Sequence, residues 1–138
     1  MGKRREGREA ALQFLFSHDI NTLLGEDEAQ AFWHLRRASP VVRAFAEELI
    51  AGVRGHLASI DRTISACLEN FSFDRLSTVD RNILRVAVFE LLHIPDVPAP
   101  VIINEAIEIA KRFGEADSAR FVNGVLDRIR RDRDTQGG

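Results

Sequence analysis

Between Ser77 and His93 the chain sets Val79, Ile83, Leu84, Val86, Ala87, Val88, Leu91 and Leu92 in one stretch free of glycine and proline. At those spacings apolar residues fall nearly all the way round a 3.6-residue helix. Such a helix has no face to give to water and must be enclosed by the rest of the molecule. Ser77-Thr78-Val79-Asp80 opens it in the pattern of a capping box, with Asp80 where Glu is usual. His93-Ile94-Pro95-Asp96-Val97-Pro98 breaks it sharply. The expectation is a central helix over about Ser77–Leu92, with Leu84 buried and Arg81, Asn82 and Arg85 exposed near its start.

The remaining segments read as the helices that surround it. Leu12, Leu15 and Ile20, with Ala11 and Phe16 beside them, give a first helix over about Arg4–Asp19. The stretch from Asn21 to Ser39 is the least legible; Asp27 is placed to cap a helix holding Ala31, Phe32 and Leu35. Ser39 as N-cap and Pro40 in the first turn open a third helix with Val42, Phe45, Ala46, Leu49, Ile50 and Val53, and Gly55 stops it. A fourth helix over about Ala58–Asn70 aligns Ile60, Ile64, Cys67 and Leu68, followed by an apolar connector of Phe71, Phe73 and Leu76. A sixth starts near Pro100, carries Ile102, Ile103, Ala106, Ile107, Ala110 and Phe113, and ends at Gly114, with Glu108 and Arg112 as an i,i+4 pair on its wet face. The last begins near Asp117-Ser118 and carries Val122, Val125, Leu126 and Ile129. No strand pattern and no internal repeat competes, so the fold class is all-α.

Composition narrows the function more by exclusion than by assertion. With 45% hydrophobic and 29% charged residues the chain is that of a folded protein, and its 138 residues suffice for one domain or two small helical halves on a shared core. A net charge of −2 argues against indiscriminate coating of nucleic acid, though not against a local basic site. Met1-Gly2-Lys3-Arg4-Arg5 precedes too short and polar a stretch to act as a secretory signal, nothing reaches membrane-spanning length, and the single Cys67 fits a reducing cytoplasm as a small buried hydrophobe. His18, His34, His56 and His93 fall on different elements without ligand spacing. No phosphate-cradling glycine loop or nucleophile elbow occurs. Glu47-Glu48 and Glu26-Asp27-Glu28 read as solvated helix faces. Neither catalysis, nor a metal, nor a cofactor is expected.

Two features stand above that background. Lys3, Arg4, Arg5 and Arg8 crowd the entry to the first helix against only Glu6 and Glu9, where they oppose the helix dipole and can grip phosphates. Phe16, two turns on, can stack a base. In Phe113-Gly114-Glu115-Ala116-Asp117-Ser118-Ala119-Arg120-Phe121, two aromatics and an acid flank a helix start. That is either a base platform or two core phenylalanines beside an N-cap; spacing alone leaves both open.

An ordered series of motifs adds a family. Val79-Asp80-Arg81-Asn82-Ile83-Leu84-Arg85, Glu90-Leu91, Asp96-Val97-Pro98, Ile103-Asn104-Glu105-Ala106, Ala110-Lys111-Arg112-Phe113-Gly114 and Phe121-Val122-Asn123-Gly124-Val125-Leu126-Asp127 together resemble the NusB family, as does the opening Arg8-Glu9-Ala10-Ala11-Leu12-Gln13. The resemblance spans essentially the whole chain, is strongest from Leu76 to Ile129 and weakest from Asn21 to Pro40. It implies an all-helical fold of two helical-bundle subdomains, so the seven or so helices read above make a NusB-like domain over 1–131, divided into halves of about 1–76 and 77–131; the terminal segment 132–138 is expected to fray as a flexible tail. It implies a non-enzymatic antitermination factor that binds boxA RNA in nascent ribosomal RNA transcripts together with NusE, a small-subunit ribosomal protein, within the RNA polymerase antitermination complex. By the same match Arg4, Arg5, Arg8, Phe16, Phe113, Asp117 and Phe121 are the RNA-surface residues. Asp80 falls on a NusE-binding side expected to be separate. Phe16 stands where many members have Tyr, which removes a hydroxyl and keeps a stacking face. The family pattern also sets Asn123-Gly124 inside the last helix, with Gly124 as a close-packing point. A helical protein–protein module or a self-associating homodimer without a direct RNA role is the alternative.

Overall fold

The computed structural model describes residues 2–20, 26–69 and 72–137. Among them lie seven α-helices and no strand: α1 (Lys3–Ile20), α2 (Glu26–Arg36), α3 (Pro40–Gly55), α4 (Leu57–Ala66), α5 (Thr78–His93), α6 (Ala99–Phe113) and α7 (Ser118–Gly137), with a 3-10 turn at Phe73–Arg75. Phe71, Asn70 and Gly138, and the side chains of His18, Ile20, Glu26 and Asp27, lie outside the described residues.

The enclosed helix is where its composition demands. Every residue of α5 from Asn82 to Leu91 is buried, and α5 packs against α1, α3, α4, α6 and α7. One continuous core joins Ala10, Leu49, Ile64, Leu84, Ile102 and Leu126 across all of these helices. The polar residues near the start of α5 depart from expectation. Asn82 and Arg85 are buried and Arg81 half-buried, because each has an internal partner. Arg85 donates through Nε and Nη2 to both carboxylate oxygens of Asp61 on α4 at 2.9 and 3.0 Å. Its Nη1 donates to Asn82 Oδ1 at 3.2 Å, and the Asn82 amide donates to the Thr78 carbonyl at 3.0 Å. A buried charge is tolerable only when paired and hydrogen-bonded in this way.

Local stop and start signals act as read at most boundaries. Ser39 Oγ accepts from the Val42 N–H at 3.3 Å, and Ser77 Oγ accepts from the Asp80 N–H at 3.1 Å. The helix between the first and third is shifted in phase: Trp33 is buried and Leu35 exposed, so Ala31 and Leu35 do not form its inner face. Asp27 lies within α2 rather than ahead of it. Arg37 ends this helix in the left-handed region at φ 57°, with its N–H donating to the Trp33 carbonyl; no glycine marks the stop. α4 ends at Ala66, short of Asn70. At the other terminus α7 is helical through the segment read as a tail. There Arg133 crosses back through Nη1 to the Leu91 carbonyl at 2.8 Å, satisfying one of the last carbonyls of α5.

Glycine marks two close approaches, neither of them at Gly124. A Cβ on Gly7 would stand 2.6 Å from Phe45 Cδ2, and one on Gly52 would overlap the Phe89 ring. These positions let α1 meet α3 and α3 meet α5. Gly124 is inside α7 as expected, but it is exposed with nothing within 4 Å of where a Cβ would be. Its expected role as a packing point is not realised. Among the described residues no helix is long and apolar enough to cross a membrane.

Candidate nucleic-acid interface

The basic entry of α1 divides into an outer and an inner part. Lys3 and Arg4 are exposed, and the Arg4 guanidinium carbon lies 5.4 Å from the Phe45 ring centroid. Arg5 faces α6, donating to Glu105 through Nε at 3.1 Å and through Nη2. That bond, ahead of the cost of burial, raises the Arg5 pKa further and holds the Glu105 carboxyl below the usual carboxylate range. Arg8 turns inward. It is only 4% exposed, its Nε and Nη2 donate to the two oxygens of Glu90 at 2.8 and 2.7 Å, and Glu90 itself is 1% exposed. A guanidinium fork closed on a buried carboxylate in α5 has no edge to offer a phosphate. Arg8 is therefore a buried strut between α1 and the central helix, and the expectation that it lies on an RNA surface is corrected. Its partners sit 82 and 97 residues away in sequence, so no local pattern announces them.

The aromatic and acidic residues keep a surface position. Phe16 is 36% exposed, Phe113 and Phe121 are half-buried, and Asp117 is exposed. The turn between α6 and α7 sets them. Gly114 N–H donates to the Ala110 carbonyl at 2.8 Å to end α6, and Glu115 N–H donates to Ser118 Oγ at 2.9 Å. The Asp117 carbonyl accepts the first bond of the new helix from Phe121 N–H at 3.0 Å. Neither phenylalanine is a fully enclosed core residue: both are half-buried and pack against the core.

Asp80 is closer to this group than expected. A groove of about 380 Å³ is lined by Arg75, Ser77, Asp80, Glu115, Asp117 and Phe121 among others. The surfaces read as separate thus share a groove. Asp80 completes only half a capping box: its N–H is used by Ser77, while its Oδ1 has no hydrogen-bond partner among the described residues.

Arg112 is the residue whose role the sequence reading missed. Glu108 takes Lys111 at 3.0 Å instead of Arg112. Arg112 reaches across to α1, donating through Nη1 to both oxygens of Glu9 at 2.9 and 3.1 Å, and its guanidinium carbon stands 5.0 Å from the Phe113 ring centroid. The Ala110-Lys111-Arg112-Phe113 motif places the arginine beside the aromatic; only the fold brings Glu9 to it. Elsewhere, the rings of His56 and His93 stack at 4.0 Å between centroids, and Cys67 is buried, which pushes its thiol pKa up. Among the described residues no group of three or more His, Cys, Asp or Glu could hold a metal.

Comparison with known proteins agrees with this architecture. The NusB family model matches residues 5–131. The transcription antitermination protein NusB of Sorangium cellulosum is 44% identical over 129 residues, covering 94% of this chain and 92% of that one. Among solved structures, NusB of T. maritima superposes with a TM-score of 0.84 at 40% identity, covering 96% of this chain and 92% of the other. A structure of antitermination factors NusB and NusE in complex with dsRNA gives a TM-score of 0.86 at 25% identity, covering 96% and 98%.

Proposed function

The chain belongs to the NusB family, and from that premise we propose that it is a transcription antitermination factor. In this reading it binds boxA-type RNA of nascent ribosomal RNA transcripts together with NusE, in the cytoplasm, as part of a termination-resistant polymerase complex. It acts by binding alone, and the working domain is residues 1–131, with halves meeting near position 76. The observation that carries the reading is a whole-length likeness to NusB proteins, one of them solved with NusE and dsRNA, joined to an edge of this chain that offers cations and rings to solvent.

The residues divide the work by chemistry. Arg4, with Lys3 beside it, supplies charge to phosphates. Arg5, paired to Glu105, adds its charge at the same edge, and Arg8 only fixes α1 in place. Phe16 and Phe121 offer faces for bases, and Asp117 offers acceptors for base amino groups. Three arginines neutralising phosphates of single-stranded RNA would give a log K against log salt slope near −2. With Arg8 withdrawn, the expected contribution of this cluster falls to between about −0.7 and −1.4. Asp80, half-buried at the edge of a groove that also holds Glu115 and Asp117, suits a cationic donor of NusE.

The experiment is a fluorescence titration of a boxA-type RNA oligonucleotide with and without NusE, alongside a NusE pull-down in the absence of RNA. Phe121→Ala, checked for folding by circular dichroism, should cost about 1–3 kcal/mol at any salt. Asp80→Lys should weaken the pull-down. Wild-type RNA affinity in folded Phe121→Ala removes that ring from the interface, and unchanged NusE capture by Asp80→Lys removes Asp80.

A further inference from the structure

We infer that Arg112 is a nucleobase-stacking residue of this surface, and that Phe113 is its support and not itself the platform on which a base lies. The inference rests on the RNA-binding reading above and goes beyond its residues.

Arg112 combines two properties that oppose each other in an ordinary surface arginine. Its side chain is 59% exposed, yet it is held at two points: Glu9, whose side chain is 7% exposed, anchors Nη1 through both oxygens, and the Phe113 ring lies under the guanidinium. An exposed arginine normally keeps its rotamer freedom and surrenders it on binding. Here the plane is oriented before any ligand arrives. The guanidinium carbon lies 5.0 Å from the Phe113 ring centroid, and the contact with Glu9 uses Nη1 alone. The exposed remainder presents a flat, delocalised cation to the outside, the kind of surface on which unpaired RNA bases stack. Because the guanidinium stands over the Phe113 ring, a base entering from solvent on that side meets Arg112 first.

The location supports the same assignment. Glu9 and Phe16 are seven residues apart on α1 and so share one helix face. The Glu9–Arg112 bond fastens that face to the end of α6, just before the turn that carries Asp117 and leads to Phe121 in the first turn of α7. Arg112 therefore bridges the two parts of the candidate surface, the α1 edge and the α6–α7 turn. The arginines of the α1 entry differ from it: Arg8 is oriented but buried, while Arg4 is exposed and contacts the Phe45 ring.

Arg112→Lys separates a stacking plane from a point charge. Lysine keeps the positive charge and can still pair with Glu9, so the fold is maintained, but it offers no plane. With a boxA-type RNA oligonucleotide, Arg112→Lys should weaken binding about tenfold, within the range for loss of one stacked base, and leave the salt slope unchanged. Arg112→Gln, which lacks both the plane and the charge that pairs with Glu9, should weaken binding at least as much. Introducing single abasic positions along the oligonucleotide should reveal one site whose effect is present with wild type and absent with Arg112→Lys. Wild-type affinity in Arg112→Lys, or abasic effects of the same size in both proteins, overturns the stacking assignment while leaving the RNA reading intact. Failure of the wild-type protein to bind the oligonucleotide, with and without NusE, overturns the RNA reading and this assignment with it.

Discussion

The Arg8–Glu90 pair sets up a sharp test of what holds α1 to the central helix. Both side chains are almost wholly excluded from solvent, at 4% and 1% exposure, and they share two hydrogen bonds of 2.8 and 2.7 Å. Leu12, Ile83, Val86, Ala87, Ile102, Ala106 and Ile109 line a neighbouring cavity of only about 10 Å³, and the other charge on Arg8, among the described residues, is Glu105, 3.4 Å from its Nη1. Removing Arg8 strands the Glu90 carboxylate at 1% exposure, and removing Glu90 leaves the buried Arg8 with only the longer contact to Glu105. Arg8→Met or Glu90→Leu alone should therefore cost about 3–5 kcal/mol. At a urea m-value of about 2 kcal/mol/M, this moves the unfolding midpoint down by about 1.5–2.5 M. The double variant removes both charges and leaves apolar side chains among apolar neighbours, so its cost should be near zero, with Glu105 still served by Arg5. Urea unfolding of the four proteins by circular dichroism measures the cycle. Single variants that lose less than about 1 kcal/mol, or a double variant that loses the sum of the singles, would refute the claim that desolvation dominates this contact.

Three further outcomes follow from named contacts. Leu84→Ala, at a fully buried position in the enclosed helix, should cost about 2–5 kcal/mol in the same urea assay, and a loss below about 1 would mean the site collapses around the gap. Gly124→Ala should stabilise by up to about 1 kcal/mol, because a methyl group there meets nothing within 4 Å and alanine is the better helix former, whereas Gly52→Ala should destabilise by forcing the Phe89 ring aside; thermal midpoints of the two variants should shift in opposite directions. The Glu105 carboxyl, held low chiefly by its bond from Arg5, binds fewer protons folded than unfolded as pH falls through the ordinary carboxylate range near 4.3, so its stabilising contribution is present above that range and lost below it. Glu105→Gln should flatten that part of the stability–pH curve, and an unchanged slope between about pH 5 and 3 would exclude the linkage.

Legibility tracked the range of the interaction that decides each feature. α5 could be read because its apolar residues leave no alternative but enclosure, and the starts of α3 and α5 because Ser39 and Ser77 cap within three residues. α2 was read out of phase because it ends on Arg37 in the left-handed region instead of on a glycine, and because Trp33 and not Leu35 faces inward. The candidate surface failed in the same manner. Arg8 looks like any other member of a basic cluster until Glu90 closes on it, and Arg112 looks like half of a helical pair with Glu108 until Glu9 claims it. Charge is a local property of sequence, but whether a charge is spent is decided by residues about a hundred positions away.

The enclosure of α5 has a consequence for the chain as it is being made. Its walls come from α1, α3 and α4, already synthesised when it emerges, and from α6 and α7, which are not. Until Val122, Val125, Leu126 and Ile129 arrive, one side of the most deeply enclosed helix has nothing to lie against. A nascent chain halted after His93 would display that side as a sticky stripe, open to holdase chaperones or to another unfinished copy. Release of the final helix is then the event that makes the molecule soluble and whole at one stroke, and a truncation within α7 should be recovered from cells as aggregate even though every residue of α1 to α6 is present.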